Sequence, residues 1–175
     1  MPVLVIVDAQ KEYVTKGRPF YLETIGPSLE NLQKLLAHAR AHDWKIAHMR
    51  HEQNSMCFTY GSPYAEFIDG FGPQEGEESM VKSNFSCFSC REFQALVDKY
   101  RHEEVIIAGY GTSMCCLSTM IDAHHRGYDF TFVADATCAK RSARFDEQDM
   151  KEHIVDILGA FGHLTTTEEI LRRAS

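Results

Sequence analysis

The chain has 175 residues, 44% of them hydrophobic and 25% charged, the size and balance of one globular domain with a core of its own. Its formal net charge of −7 argues against nucleic acid or an anionic membrane as the main partner, since both need clustered cations. Six cysteines in a chain of this length fit a reducing cytoplasm better than a disulfide framework.

Val3 to Val7 is an unbroken apolar run. It is too short to cross a membrane and has no basic flank, so it reads as a buried strand and not as a signal peptide. A loop with Gly17, Pro19, Gly26 and Pro27 follows. Leu29, Leu32, Leu35, Leu36 and Ala39 then recur at helical spacing, with Pro27 suited to the first turn. Trp44 to Met49 reads as a second strand that ends in Arg50-His51. Residues 52–81 show no sustained period, the pattern of a functional loop. Ser89-x-x-Glu92 predicts a capping box ahead of a helix bearing Phe93, Leu96, Val97 and Tyr100.

Val105 to Ala108 is a further buried strand, and the spacing predicts a helix over 112–126 closed by Gly127. Phe130 to Ala134 is a strand ending at Asp135, and Met150, Ile154, Ile157, Leu158 and Phe161 mark the next helix. Leu164 opens a short strand, and Thr166-x-x-Glu169 caps a last helix. Helices alternating with strands that are apolar on both faces predict a single α/β domain over 1–175. Its expected form is a three-layer α/β/α sandwich around a mainly parallel, Rossmann-like sheet of about six strands. Ligands of such folds meet the carboxyl ends of the strands, which singles out Asp8, Gln10, Arg50, His51, residues 109–115 and Asp135.

Gly109-Tyr110-Gly111 begins as a dinucleotide fingerprint does, but Met114 stands where its third glycine must allow close packing. Cys115 falls in the first turn of the following helix, where unsatisfied N–H groups favour a thiolate; a buried core cysteine is the alternative. Cys116, about 100° further round the helix, reads as the core residue. Asp8 ends an apolar strand, where a carboxylate is costly unless it is paired, caps a turn, or is put to use. Lys82 taken alone reads as a solvated lysine. Cys87-Phe88-Ser89-Cys90 is a single CxxC with no second ligand pair at zinc spacing, so small core residues are the simpler reading. His38 and His42 lie on the helix face opposite the leucines, and His124-His125 suit a helix end.

Four groups of residues share one pattern: Asp8-x-Gln10 after the first strand; Gly76-Glu77 with Lys82 and Ser86-Cys87-Phe88; Ala108-Gly109-x-x-Thr112-x-x-Cys115 with Thr119; and Asp122-Ala123, Arg126-Gly127-Tyr128 and Asp135-Ala136. Together they resemble the isochorismatase-like cysteine hydrolase family, which includes nicotinamidases, N-carbamoylsarcosine and ureidoacrylate amidohydrolases, and isochorismatase itself. The resemblance implies a catalytic triad of Asp8, Lys82 and Cys115. It also implies a cis peptide between Tyr110 and Gly111, and an oxyanion hole made by the N–H groups of Gly111 and Cys115.

Gln10, Arg50 and Tyr110 are the candidate substrate contacts, Arg50 through a bidentate pair with a substrate carboxylate. Members of the family that hydrolyse nicotinamide hold a metal through an Asp-x-His pair after the second strand. Met49-Arg50-His51-Glu52 stands there instead, so neither a metal nor another cofactor is expected. The implied function is cleavage of a C–N bond in a small amide, ureide or carbamoyl compound through a thioester. A vinyl-ether hydrolase of the isochorismatase type and a non-catalytic binding protein are the alternatives; the cysteine favours amide hydrolysis. The pocket wall is expected from the loops around Tyr13 to Tyr21 and 50–80, with Tyr110 and Phe145. A homodimer or higher homo-oligomer is implied as well, with Phe58, Tyr60, Tyr64, Phe67 and Phe71 supplying its surface.

Overall fold

In the computed structural model, which describes residues 1–173, Val3–Val7 forms β1, and all five of its side chains are inaccessible to solvent. β1 lies between β2 (Lys45–His51) and β4 (Val105–Gly109) and runs parallel to both. Outside them pair β3 (Glu78–Lys82), β5 (Phe130–Val133) and β6 (His163–Thr165). The six strands stand in the order β3-β2-β1-β4-β5-β6, and every pair is parallel.

Five helices cover the sheet: α1 (Gly26–Ala41), α2 (Arg91–Lys99), α3 (Leu117–His125), α4 (Glu147–Leu158) and α5 (Thr167–Arg173). Successive side chains of a strand point to opposite faces. Val3, Val5 and Val7 accordingly meet Phe93, Leu96 and Val97 of α2, Met120 and Ala123 of α3, and Leu158 of α4. Leu4 and Ile6 meet Leu32, Leu35, Leu36 and Ala39 of α1 and Ile170 of α5. Both faces are therefore buried, which is why β1 is apolar without interruption. The layers are α/β/α, as the sequence predicts. Truncating a leucine such as Leu35, fully buried in this packing, to alanine costs about 2–5 kcal/mol.

Several local expectations change. β2 runs on to His51, and β3 forms inside the stretch that showed no period. Ser89 is not the cap of α2. It belongs to a short 3₁₀ turn, Cys87–Ser89, capped by Ser86, and Cys90 is the residue before α2. Glu92 does not reach back to Ser89; its carboxylate accepts from Cys90 Sγ instead. The capping box of α5 does form: Thr166 N–H donates to Glu169 Oε2 at 2.9 Å, and Glu169 N–H donates to Thr166 Oγ1 at 3.3 Å. Of the aromatics expected at a subunit surface, Phe58 and Phe71 are buried in the chain's own core, Tyr64 and Phe67 are half-buried, and Tyr60 is exposed.

Candidate active site

Three chain segments deliver the site to the carboxyl edge of the sheet. Asp8 follows β1 with a left-handed φ of +50°, a region aspartate tolerates better than most residues, and its N–H donates to Met49 O at 3.0 Å. Lys82 ends β3, where Met80 and Lys82 are buried and Ser79 and Val81 exposed, so the alternation of an edge strand turns the lysine inward. Parallel register sets Lys82 directly beside His51 of β2.

The third segment follows β4. Gly109 has φ +123°, and a Cβ there would stand 2.1 Å from Val7 O, so only glycine lets β4 pass so close to β1. Gly111, at φ +77°, leads into a wide helical turn, Thr112–Cys116, in which Cys116 N–H reaches back to Gly111 O at 3.0 Å. The helix predicted over 112–126 is thus this turn followed by α3. Every peptide bond among the described residues is trans, so the expected cis bond between Tyr110 and Gly111 is not found; two glycines of positive φ make the reversal instead. Thr119 Oγ1 donates to Cys115 O at 2.7 Å and accepts from Cys87 N–H at 2.9 Å, tying the turn to the segment after β3.

These segments bring the implied triad together. Lys82 Nζ lies 2.9 Å from Asp8 Oδ2 and 3.2 Å from Cys115 Sγ. Asp8 is 0% exposed, Lys82 1% and Cys115 5%, so the three meet out of bulk water. Neither Asp8 oxygen makes a well-aligned hydrogen bond, and its neighbours are the lysine charge and the thiol. Burial alone would lower the pKa of Lys82; the carboxylate of Asp8, followed by Cys115, outweighs it and raises the pKa. The Cys115 thiol is pushed well above its ordinary range, by burial first and by Asp8 second, with Lys82 pulling the other way. That direction runs against the thiolate expected from a helix start, and it gives a neighbouring base a proton to take. Cys116 points away, its Sγ donating to Tyr110 O at 3.4 Å.

The three expected substrate contacts are committed elsewhere. Gln10 is fully buried: its Nε2 donates to His51 O at 2.9 Å and Ala65 O at 2.6 Å, and its Oε1 accepts from His51 N–H at 2.8 Å. It braces β2 against the 62–67 loop. Arg50 pairs with Glu52 at 2.8 Å and Glu66 at 3.2 Å, so its charge is already answered. Tyr110 is a core residue beneath α1, its hydroxyl 3.3 Å from Ser28 Oγ.

Two residues given no chemical role by the sequence belong here. Tyr13 packs on Phe58 and Tyr110 with ring centroids 5.3 and 5.6 Å apart. A Cβ on Gly111 would meet its hydroxyl at 3.1 Å and Cys115 N at 3.3 Å, so phenol and amide border the same small space. Tyr13 is held there by its neighbour Glu12, whose buried carboxylate takes Arg18 Nε at 3.1 Å and Nη2 at 3.0 Å. Arg18 in turn donates to Met56 O at 2.8 Å and lies over the Tyr64 ring, clamping the two loops together. His51 is the second such residue, its Nδ1 3.1 Å from Lys82 Nζ. Its position directly after an apolar strand is the signal the sequence carried.

Asp8, His51 and Cys115 could hold a metal by residue type, since their ligand atoms lie within 4.8 Å of one another. The Lys82 ammonium, however, sits 2.9, 3.1 and 3.2 Å from the same three side chains. A cation bound by the three would lie beside that positive charge, so the residues fit a metal poorly while the ammonium is there.

Comparison with known proteins bears on the family and the fold. The isochorismatase domain family matches residues 2–169. A secreted isochorismatase effector of Verticillium dahliae is 30% identical over 171 residues, covering 96% of this chain and 89% of that protein. The maleamate amidohydrolase of Pseudomonas putida is 23% identical, covering 98% of this chain and 86% of its own. The crystal structure of a cysteine hydrolase from Pseudomonas syringae pv. phaseolicola superposes with a TM-score of 0.88 at 24% identity, over 98% of this chain and 91% of the other, and shares the fold.

Proposed function

The chain belongs to the isochorismatase domain family of hydrolases, and on that premise we propose that it cleaves a C–N bond of a small amide, ureide or carbamoyl compound through a Cys115 thioester. The observation that carries this reading is the buried contact of Cys115 Sγ with Lys82 Nζ at 3.2 Å, the same ammonium being 2.9 Å from Asp8.

Asp8 takes the thiol proton as Sγ attacks the substrate carbonyl carbon, while Lys82 keeps positive charge beside both partners. The tetrahedral oxyanion is met by the N–H groups of Gly111 and Cys115, each worth about 3 kcal/mol. Asp8 then passes its proton to the nitrogen, the C–N bond breaks, and ammonia or an amine leaves a thioester. Water, giving its proton to Asp8, attacks the thioester carbon; the acid departs as the proton returns to sulfur. The raised thiol pKa fits this order, in which the thiolate forms only as the base acts. With Arg50 already paired, a carboxylate on the substrate would have to find another anchor.

Six free thiols favour a reducing, cytoplasmic setting, although one relative is described as secreted. As for assembly, we propose a homo-oligomer, for which Met56, Tyr60, Phe85 and Met114 are among the exposed apolar side chains. Ammonia release from a panel that includes maleamate, ureidoacrylate and nicotinamide tests the hydrolase reading. The native chain should hydrolyse at least one member, and Cys115→Ser and Asp8→Asn should each lose at least about a hundredfold. Undiminished release by either variant would refute the proposed roles.

A further inference from the structure

Lys82 directs its three N–H bonds to His51 Nδ1 at 3.1 Å, Cys115 Sγ at 3.2 Å and Asn84 O at 3.2 Å, and Asp8 Oδ2 pairs with its charge at 2.9 Å. An ammonium only donates, so Nδ1 of His51 is the bare nitrogen of a neutral ring, and the proton sits on Nε2. Phe58, edge-on at 5.4 Å, and Phe85, nearly parallel at 6.5 Å, hold the ring plane.

We propose that His51 is a positioning residue, a neutral Nδ1 acceptor that holds the Lys82 ammonium between Asp8 and Cys115. Protonation of that nitrogen would set two donors and two positive charges against each other at 3.1 Å and dislodge the lysine. The consequence for catalysis rests on the hydrolase reading of the same site; the contact itself does not. The ionisable groups facing the ring are Lys82 from β3, Asp8 from the end of β1 and the Cys115 thiol, while Gln53, Asn84 O and the two phenylalanines carry no charge. Burial, and Lys82 after it, lower the imidazole pKa from 6.5 against the pull of Asp8, which keeps the ring neutral and accepting at neutral pH.

Nitrogen NMR of the histidine rings in the intact chain reads this without any substrate, with His51→Asn assigning the signals. The expected result is an Nε2–H tautomer at neutral pH and a midpoint below 6.5 that rises in Lys82→Met. A proton on Nδ1 at neutral pH, or a midpoint unmoved by Lys82→Met, would overturn the proposal; should that variant not fold, the tautomer of the native chain decides. A second readout is the rate at which excess iodoacetamide alkylates Cys115, followed by peptide mapping. His51→Leu should slow it about tenfold, and His51→Asn, which offers an oxygen near the place of Nδ1, should recover much of the loss. Equal rates in the two variants would also overturn it. Absence of amide hydrolysis alongside the expected NMR and alkylation results would count against the proposed reaction alone.

Discussion

Lys82 and Cys115 meet at 3.2 Å although β2 and β1 lie between their strands, β3 and β4. The four-carbon stem of a lysine spans what is left of that gap once the turn after β4 folds back, and stem and charge are both buried. Its counter-charge is the equally buried Asp8. Removing one partner strands the other, so Lys82→Met should cost about 3–5 kcal/mol of stability, and the Asp8→Asn/Lys82→Met double variant should recover part of it. Urea denaturation of the native, single and double variants measures this. A double variant as unstable as the sum of the singles would mean that the two charges are not coupled.

A second ion network lies outside the site. Glu77 receives Arg40 Nε at 2.7 Å, Gln74 N–H at 2.8 Å and His48 Nε2 at 2.7 Å, joining α1, β2 and the segment before β3. Burial raises its pKa, but Arg40, the Gln74 amide and His48 together lower it from 4.5 to about 2. The folded value is the depressed one, so this stabilisation is complete above about pH 4.5 and is lost as pH falls toward 2. Its size is on the order of 3 kcal/mol. Glu77→Gln should be less stable than the native chain near neutrality and about equal to it near pH 2, as followed by denaturant midpoints. A gap that stays constant with pH would contradict the assignment.

Gly111→Ala separates stability from activity. The positive φ makes any side chain costly by about 1–2 kcal/mol, a loss the fold should survive. The new Cβ would stand 3.3 Å from Cys115 N and 3.1 Å from the Tyr13 hydroxyl, in the space an oxyanion would need. The expected result is a folded protein by circular dichroism with hydrolysis down about 10²–10³-fold. Near-native hydrolysis would place the oxyanion elsewhere.

The thiols should not react in the order a helix-start cysteine suggests. Cys57 is half-buried and the other five are buried, Cys115 with its pKa raised as well. Limiting iodoacetamide should therefore label Cys57 first in the resting chain, as peptide mapping would show. First labelling at Cys115 would mean a preformed thiolate.

The strands were legible where both faces are covered. Val3–Val7 and Val105–Ala108 read directly because burial on two sides leaves no polar position. β3 was not legible, because Glu78-Ser79-Met80-Val81-Lys82 belongs to an edge strand that buries only alternate residues. That strand carries Lys82, so the lysine entered the site through resemblance and not through pattern. Asp8 and Cys115 stood out by position, at the ends of apolar runs. The intramolecular partners of the expected substrate contacts were not legible, for a different reason. Whether Arg50 is free depends on Glu52 and Glu66, and whether Gln10 is free depends on the backbone of His51 and Ala65, partners that only the folded loops bring near. His51 was visible as a residue after a strand, but its role follows from the register of β2 with β3.

The central claim is that Cys115 carries the acyl group. Acid-quenched turnover of any amide the chain hydrolyses, followed by mass spectrometry of the Cys115 peptide, tests it directly. The account predicts an adduct on Cys115 with the mass of the substrate less ammonia or amine, lost on hydroxylamine treatment and missing in Cys115→Ser. Steady hydrolysis with an unmodified Cys115 peptide, undiminished in Cys115→Ser, would contradict it.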